Sequence, residues 1–347
     1  MPAPGTVGPP AAAAEGGPVH ALSEAPLDRV PELAARAHGD LLLGSDVRWT
    51  TGAGLVDTVA GFAAAVNRHA GRLAAAGVRP GDVVAVLRRN HVDLQAQLYG
   101  TLRAGAVPAL LPARLPRRGV MHCLTLLGRP HLLLDVEGVN RLHDAEDGVR
   151  ALCATVHTLG PIDDSTAVWA PPLPDDCPGR LATGTGHHRG VILHDPSSGR
   201  PRLLPAADLR ARARALARPS PEGTAFVHLD FGRAHACATV LAALQQGGPL
   251  LAVTRTERPL VDALLREHRP VTVEAPAAVL AAWRPLASAP TRPFASVRRF
   301  VASTGRLDPP TVRALLDGSS AADAVCVQRE AASPHAHRPP FTTYRSA

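Results

Sequence analysis

The 347-residue chain contains no lysine, so all 37 of its basic side chains are arginine. Arginine stays charged and binds phosphate through a planar fork, but it does not replace the lysine amine as a base or a nucleophile. Aromatic residues are also scarce, at 3% of the sequence, which leaves alanine, valine and leucine to build the core. Any reaction that these residues catalyse must therefore proceed without a lysine amine.

The sequence also lacks the patterns of a disulfide framework, a signal peptide and a membrane helix. Its five cysteines are odd in number and form no C-x-x-C pair, which predicts free thiols in a reducing compartment. The N-terminal stretch has no basic start followed by a leucine-rich core. No apolar run approaches the roughly 18 residues of a membrane helix. These absences predict a cytoplasmic protein with no membrane partner.

The net charge of +7 and the isoelectric point near 10.0 indicate an affinity for anions such as nucleotides or acidic carriers. Nucleic acid is a third and weaker interpretation. The arginines of segment 209–218 spread around a helix, and no stacking aromatics lie between them. The pair His187 and His188 has no cysteine or carboxylate at metal-ligand spacing. The sequence contains no G-x-S-x-G motif, so it offers no nucleophile elbow for the catalytic triad of a hydrolase.

Short apolar runs alternate with helical patterns along most of the chain. Segment 83–87 is rich in β-branched residues, as a buried strand is, and Leu94, Leu98 and Leu102 share one helix face. This alternation predicts an α/β fold in layers, with two sheet-and-helix subdomains and mostly parallel strands covered on both faces. The predicted organisation is a disordered tail (1–25), a first α/β subdomain (26–180), a second α/β subdomain (181–332) and a disordered tail (333–347).

Segment 70–111 contains a helix, the pattern G-V-x-x-G-D-x-V-A, an asparagine, and a second helix that ends in R-A-G-A-V-P. It resembles the opening of the adenylate-forming (AMP-binding) superfamily, which includes acyl-CoA synthetases, aryl-acid ligases and peptide-synthetase adenylation domains. The matching residues are Gly77, Val78, Gly81, Asp82, Val83, Ala85, Asn90, Arg103, Ala104, Gly105, Ala106, Val107 and Pro108. The helix ends and turns of an ordinary βαβ unit explain the same residues, because glycine ends helices and Gly-Asp forms turns.

Segment 191–204 lies where that superfamily has its phosphate loop, T-S-G-[ST]-T-G-x-P-K-G. In such a loop, backbone N–H groups and hydroxyls surround an anion, and a terminal cation neutralises phosphate charge. The resemblance implies cofactor-binding roles for Ser197, Ser198, Gly199 and Arg202. Arg202 replaces the family's lysine as a catalytic cation, whereas Pro196 removes a donor and Asp195 adds negative charge beside the expected triphosphate. A polar surface turn is the alternative interpretation.

Segment 226–330 resembles the part of the superfamily that carries the substrate pocket and the metal ligand. The resemblance implies that His235 and Gly305 bind substrate, and that Glu330 is a catalytic residue and the magnesium ligand, with ATP and Mg²⁺ as cofactors. The stretch from Cys326 to Arg329 stands where the family has Y-G-x-T before that glutamate. A solvent-exposed glutamate at a strand end is the alternative for Glu330.

Two functional hypotheses follow from the resemblance. The first is a truncated, impaired homologue of AMP-forming acyl or aminoacyl ligases that acts as a partner in a biosynthetic pathway. The alternative is an active carboxylate-adenylating ligase that works with a separate C-terminal domain, because the family's hinge and lysine-bearing mobile domain have no counterpart in this sequence. The implied partners are a small carboxylic acid or an acyl or aminoacyl group, and a carrier protein or that separate domain. Whether the chain is an enzyme stays open.

Overall fold

The computed structural model describes residues 22–47, 57–160, 169–175, 190–216, 223–329 and 341–345. Within these ranges, helices alternate with strands that form two mostly parallel sheets. The layered α/β fold predicted from the hydrophobic pattern is therefore confirmed.

The strands build one sheet of six and one of seven within the described ranges. In chain order they are β1 (Leu43–Ser45), β2 (Val83–Arg88), β3 (Val107–Pro112), β4 (His131–Leu134), β5 (Thr155–Thr158), β6 (Gly190–Asp195), β7 (Arg200–Pro205), β8 (Ala225–Val227), β9 (Leu250–Ala252), β10 (Thr272–Ala275), β11 (Arg299–Ala302), β12 (Val325–Arg329) and β13 (Phe341–Arg345). The first sheet has the order β5-β4-β2-β3-β6-β7 and the second β1-β9-β8-β10-β11-β12-β13. The edge strands β7 and β13 are antiparallel to their neighbours.

The helices cover both faces of each sheet. They are α1 (Val30–His38), α2 (Val59–Ala75), α3 (Leu94–Arg103), α4 (Arg117–Leu127), α5 (Val136–Leu142), α6 (Glu146–Leu152), α7 (Ala206–Ala215), α8 (Ala234–Gln246), α9 (Arg258–His268), α10 (Ala277–Trp283) and α11 (Pro309–Gly318), and a 3₁₀ turn (Arg284–Ser288) follows α10. Side chains of α1, α2, α3, α7 and α8 join residues of both sheets in one shared core. Helices α4 to α6 cover the outer face of the first sheet, and α9 to α11 that of the second.

The predicted boundary near residue 180 does not divide the two sheets. Strand β6 pairs with β3 of the first sheet, so the hairpin β6–β7 belongs to that sheet and not to a second subdomain that begins at residue 181. Strand β1 pairs with β9 of the second sheet, although it lies in the predicted first subdomain. Parallel pairing joins strands that are far apart in sequence, so the order of elements alone does not assign a strand to a sheet.

Both predicted tails contain ordered residues. Residues 22–24 form a helical turn, and Leu22 is buried, with its carbonyl accepting a hydrogen bond from Gln245 of α8. At the other end, β13 adds an antiparallel strand to β12, pairing Tyr344 with Cys326. The predictions of disorder over 22–25 and 341–345 are therefore wrong, because apolar contacts and strand pairing hold these segments. The other tail residues lie outside the described ranges.

His69 of α2 is fully buried, and neither of its ring nitrogens has a hydrogen-bond partner among the described residues. Desolvation, with a smaller contribution from the positive charge of Arg72, lowers the pKa of His69 to about 3. An unfolded histidine takes up a proton near pH 6.5. The folded state therefore has its full stability from this group above pH 6.5 and loses stability as the pH falls towards 3.

We expect His69→Met to reduce the acid sensitivity of the fold. Between pH 6 and pH 4 the slope of unfolding free energy against pH should fall by up to about 1.4 kcal/mol per pH unit, the value for one proton. Urea unfolding at several pH values measures this slope. The exposed His122 of α4 provides the control, because His122→Gln should leave the slope unchanged. An identical slope in His69→Met and the parent chain would contradict the assignment.

Candidate functional site

The second sheet has a topological switch point between β8 and β10, which are neighbours in the sheet. Helix α8, which follows β8, packs in the shared core. Helix α10, which follows β10, packs on the outer face. In open parallel sheets, ligands bind in the crevice that such diverging connections leave at the carboxyl ends of the strands. The crevice between β8 and β10 is therefore the first candidate site.

A carboxylate and an imidazole meet at this switch point. Glu274 of β10 alternates with Val273 and Ala275, which face the outer core, so its side chain points towards α8. There its Oε1 lies 2.5 Å from Nε2 of His235, in the first turn of α8. The side chain of Glu274 is 4% exposed and that of His235 is 27% exposed. The predicted substrate residue His235 thus lies at the crevice, beside a buried carboxylate.

The loop after β8 is held against the first sheet. The side-chain amide of Asn90 donates to the carbonyl of Leu229 (2.7 Å), and its oxygen accepts from the backbone N–H of Phe231 (2.8 Å). Gln95 donates to the carbonyl of Phe231 (2.7 Å). These bonds fix the path of the chain into α8 and therefore the position of His235. Only the structure shows that Asn90 connects the loop after β8 to the first sheet through these hydrogen bonds.

The same loop reaches the hairpin that corresponds to the predicted phosphate loop. Arg233 donates to the carbonyl of His194 at the end of β6 (3.2 Å) and also contacts the carboxylate of Asp230 (3.2 Å). Arg114, after β3, contacts Asp230 from the first sheet (3.0 Å). The switch-point crevice and the hairpin are therefore connected through one loop.

A second cleft, of about 240 Å³, lies at the carboxyl ends of β2 and β3, where α3 and α4 also leave towards opposite faces of the sheet. Its walls include Arg89, Asn90, Arg114 and Asp230. Beneath it, Arg88 is buried in a salt bridge with Asp93 (2.5 Å). This cleft adjoins the loop that carries the chain into α8, because Asp230 belongs to both.

Ser197, Ser198 and Gly199, the predicted cofactor-binding residues, lie in the turn between β6 and β7. Their donors, however, bind Asp195. Its carboxylate accepts hydrogen bonds from the backbone N–H of Ser197 (3.0 Å), the hydroxyl of Ser197 (2.7 Å) and the hydroxyl of Ser198 (2.9 Å). The N–H of Gly199 donates to the carbonyl of Asp195 (2.8 Å). The turn therefore surrounds its own carboxylate.

The electrostatics of this turn follow from the same contacts. Hydrogen bonds from Ser197, then from Ser198, lower the pKa of Asp195 to about 2, and the positive charge of Arg202 contributes less. Arg202 itself is exposed on β7, opposite Leu193 of β6. A phosphate loop needs donors that point at the ligand. Here Pro196 has no N–H, and the N–H of Ser197 and the hydroxyls of both serines bind Asp195, so this arrangement does not fit a phosphate group.

The remaining predicted residues have different outcomes. Gly305 lies at the carboxyl end of β11 with a φ of +77°, a left-handed conformation that favours glycine. Glu330 lies outside the described residues, so its predicted roles in catalysis and magnesium binding stay predictions. Cys326 lies inside β12 with its side chain fully buried, and this burial raises its pKa to about 12. The alignment of Cys326 with the first position of the family's Y-G-x-T stays an interpretation.

The sequence alone did not indicate Glu274 as a site residue. It also did not indicate that Asp195 accepts the hydrogen bonds of Ser197 and Ser198. A glutamate inside the apolar run V-T-V-E-A was the available signal for Glu274, because a charged residue in a buried strand requires a partner. Across the described ranges, no three His, Cys, Asp or Glu side chains gather as a metal site. None of the helices described combines the length and apolar character that crossing a membrane requires.

Comparison with known proteins gives one family match and several related structures. The family model described as AMP-binding enzyme matches residues 57–326. A curated relative, 3-amino-2-hydroxy-4-methoxybenzoate diazotase from Streptomyces cremeus, is 29% identical over 306 residues, which is 78% of this chain and 54% of the relative. The chain thus spans about half of the length of that relative.

Two solved structures show the same fold. A protein described as a long-chain-fatty-acid CoA ligase from Rhodopseudomonas palustris superposes with a TM-score of 0.73 at 18% identity, over 92% of this chain and 78% of its own. A nonribosomal peptide synthetase superposes with a TM-score of 0.69 at 17% identity, over 92% of this chain and 32% of its own. Because the family model covers more than half of the sequence, including the hairpin β6–β7 and most strands of both sheets, the chain belongs to the AMP-binding enzyme family.

Proposed function

We propose that this chain is a ligase-like member of the family in which ATP-dependent adenylation of a small carboxylic acid is impaired, and that it serves as a partner in a biosynthetic pathway. The observation that carries the proposal is the turn after β6, where Asp195 takes the hydrogen bonds of Ser197 and Ser198. A triphosphate would have to displace the carboxylate of Asp195, which accepts these hydrogen bonds and, like any aspartate, is charged at neutral pH.

Restoring the loop should restore nucleotide binding. In the double variant Asp195→Ser with Pro196→Gly, the negative charge is removed and a backbone donor is regained. We expect MgATP to bind about tenfold more tightly than to the parent chain, because like charges no longer meet at contact distance. Isothermal titration calorimetry measures this change. The control Asp208→Ser removes an exposed aspartate of α7 and should leave ATP affinity unchanged.

The reaction itself is tested by carboxylate-dependent exchange of labelled pyrophosphate into ATP, over a broad panel of acids. We expect no exchange above background from the parent chain. Clear exchange, together with MgATP affinity equal to that of the double variant, would refute the proposal. That result would favour the alternative of an active carboxylate-adenylating ligase that works with a separate C-terminal domain.

A second candidate function is favoured by the sequence comparison. The curated relative from Streptomyces cremeus is named for an amino-substituted hydroxybenzoate and for a diazotase activity. An aromatic acid with an amino group is therefore a candidate ligand for this chain. The acid panel should include 3-amino-2-hydroxy-4-methoxybenzoate, assayed with and without nitrite, since forming a diazonium group from an amine requires a second nitrogen atom.

The partners proposed for the chain follow from the family. A small carboxylic acid or acyl group is the ligand class, with MgATP as the cofactor of the active alternative. The peptide synthetase among the related structures supports a carrier protein as a macromolecular partner. A cytoplasmic location is proposed from the free cysteines.

A further inference from the structure

One edge of the first sheet is crossed by a proline-rich segment, W-A-P-P-L-P, at residues 169–174. Strand β5 forms this edge, because among the described strands it pairs only with β4. Trp169 and Ala170 pack in the core on the outer face of the sheet, whereas Leu173 packs in the shared core on the opposite face. The segment, which we call the strap, therefore wraps around the edge from one face to the other.

The strap pairs with the edge strand through its backbone. The N–H of Thr158 in β5 donates to the carbonyl of Pro171, and the N–H of Leu173 donates to the carbonyl of Thr158, both at 3.0 Å. Pro172 stands opposite Thr158 in this bridge, and both Pro171 and Pro172 are exposed. Proline has no N–H, so a further strand cannot continue a regular hydrogen-bond ladder along the strap. The strap thus ends the sheet at this edge.

A side chain from outside the sheet holds the strap in place. Arg72 of α2 donates from Nη2 to the carbonyl of Leu173 (2.6 Å) and from Nε to the carbonyl of Pro174 (2.9 Å). The two donors belong to one planar guanidinium, so they fix two successive carbonyls in one orientation. Hydrogen bonds from a charged donor are stronger than those between neutral groups. Helix α2 therefore holds the strap against β5 through Arg72.

The covered strand is well suited to pairing with another chain. Its sequence is T-V-H-T, and three of these four residues are β-branched, which favours an extended strand. An uncovered edge strand presents backbone donors and acceptors as a template for another strand. Two copies of one edge can pair antiparallel about a two-fold axis, which uses the same surface twice and closes the assembly at a dimer. A second copy of this chain is therefore the occupant that fits the β5 edge without the strap.

We propose that Arg72 holds the strap over β5 and thereby keeps the edge of the first sheet closed to a second copy of this chain. The strap is a built-in barrier to self-association. This inference goes beyond the proposed function, because neither the turn of Asp195 nor a nucleotide takes part in it.

Hydrogen exchange of the full chain tests the role of Arg72, with the amides of Thr158 and Leu173 as reporters. Arg72→Met keeps a long apolar side chain and removes both donors. We expect both amides to exchange about tenfold or more faster than in the parent chain, because the strap opens more often. Arg72→Lys replaces the planar fork by a point charge and should give a smaller increase. The control Arg118→Met changes an exposed arginine of α4 and should leave both rates unchanged.

Light scattering over a range of protein concentrations tests the role of the edge. We expect Arg72→Met to approach the mass of a dimer at concentrations where the parent chain and Arg118→Met keep the mass of a monomer. If β5 is the contact, the amide of Val156 in Arg72→Met should become more protected as the concentration rises. The same amide of the parent chain should not depend on concentration.

Two results would overturn this inference. Unchanged exchange at Thr158 and Leu173 in both Arg72 variants would show that Arg72 does not hold the strap. Fast exchange at these amides without any gain in mass, or a dimer in which Val156 gains no protection, would show that the β5 edge does not receive a second copy. If Arg72→Met does not fold, Arg72→Lys decides both points, since it keeps a positive charge at this position.

Discussion

Asp93→Ala will lower the free energy of unfolding by about 3–5 kcal/mol, the range for removing one partner from a buried ion pair. Asp93 and Arg88 approach to 2.5 Å, with side chains 0% and 1% exposed, and His91 contacts the same carboxylate oxygen at 2.7 Å. The substitution leaves the guanidinium of Arg88 buried without this carboxylate. Urea unfolding at pH 7 measures the loss.

An exposed ion pair in the same region serves as the control. Arg114 and Asp230 lie 3.0 Å apart with side chains 61% and 31% exposed, so Arg114→Ala should change the unfolding free energy by about 1 kcal/mol or less. The double variant Arg88→Met with Asp93→Leu removes both buried charges and should recover most of the stability. Equal losses from Asp93→Ala and Arg114→Ala would contradict this account of the pair.

Trp283→Ala will destabilise the second sheet and its outer helices by about 3–5 kcal/mol, the cost of deleting a large buried aromatic side chain. Trp283 of α10 is fully buried and stacks edge-to-face on Phe226 of β8, with ring centroids 5.8 Å apart. Its ring also lies 6.1 Å from that of His228, which begins the loop after β8. Removing it opens a cavity behind the switch-point crevice.

A conservative variant separates the contribution of the indole hydrogen bond from that of the buried aromatic ring. The indole N–H of Trp283 donates to the carbonyl of Thr256 at 3.0 Å, and Trp283→Phe removes that bond while it keeps an aromatic ring. We expect Trp283→Phe to lose less than half of what Trp283→Ala loses, because the hydrogen bond itself contributes about 1 kcal/mol. Thermal and urea unfolding of both variants provide the comparison. A loss below about 1 kcal/mol for Trp283→Ala would show that the site collapses around the deletion.

Local sequence patterns were sufficient for the fold class. The leucines at 94, 98 and 102 all fall on the buried helix α3, and segment 83–87 is the core of β2. Periodicity reports on the face of an element that is buried, so it predicts elements well. It does not report on which strands pair. For this reason the hairpin β6–β7 was predicted in the second subdomain, whereas its pairing with β3 places it in the first sheet.

The sequence by itself determined that the chain has no lysine and that Asp195 and Pro196 stand in its phosphate-loop segment. The absence of lysine follows from the composition, and the positions of Asp195 and Pro196 follow from alignment with the phosphate-loop motif. Only the tertiary structure decided that the carboxylate of Asp195 takes the serine donors, and that Glu274 meets His235 across 39 positions of sequence. Such contacts depend on the turn geometry and on strands brought together by the sheet, and a one-dimensional pattern contains neither.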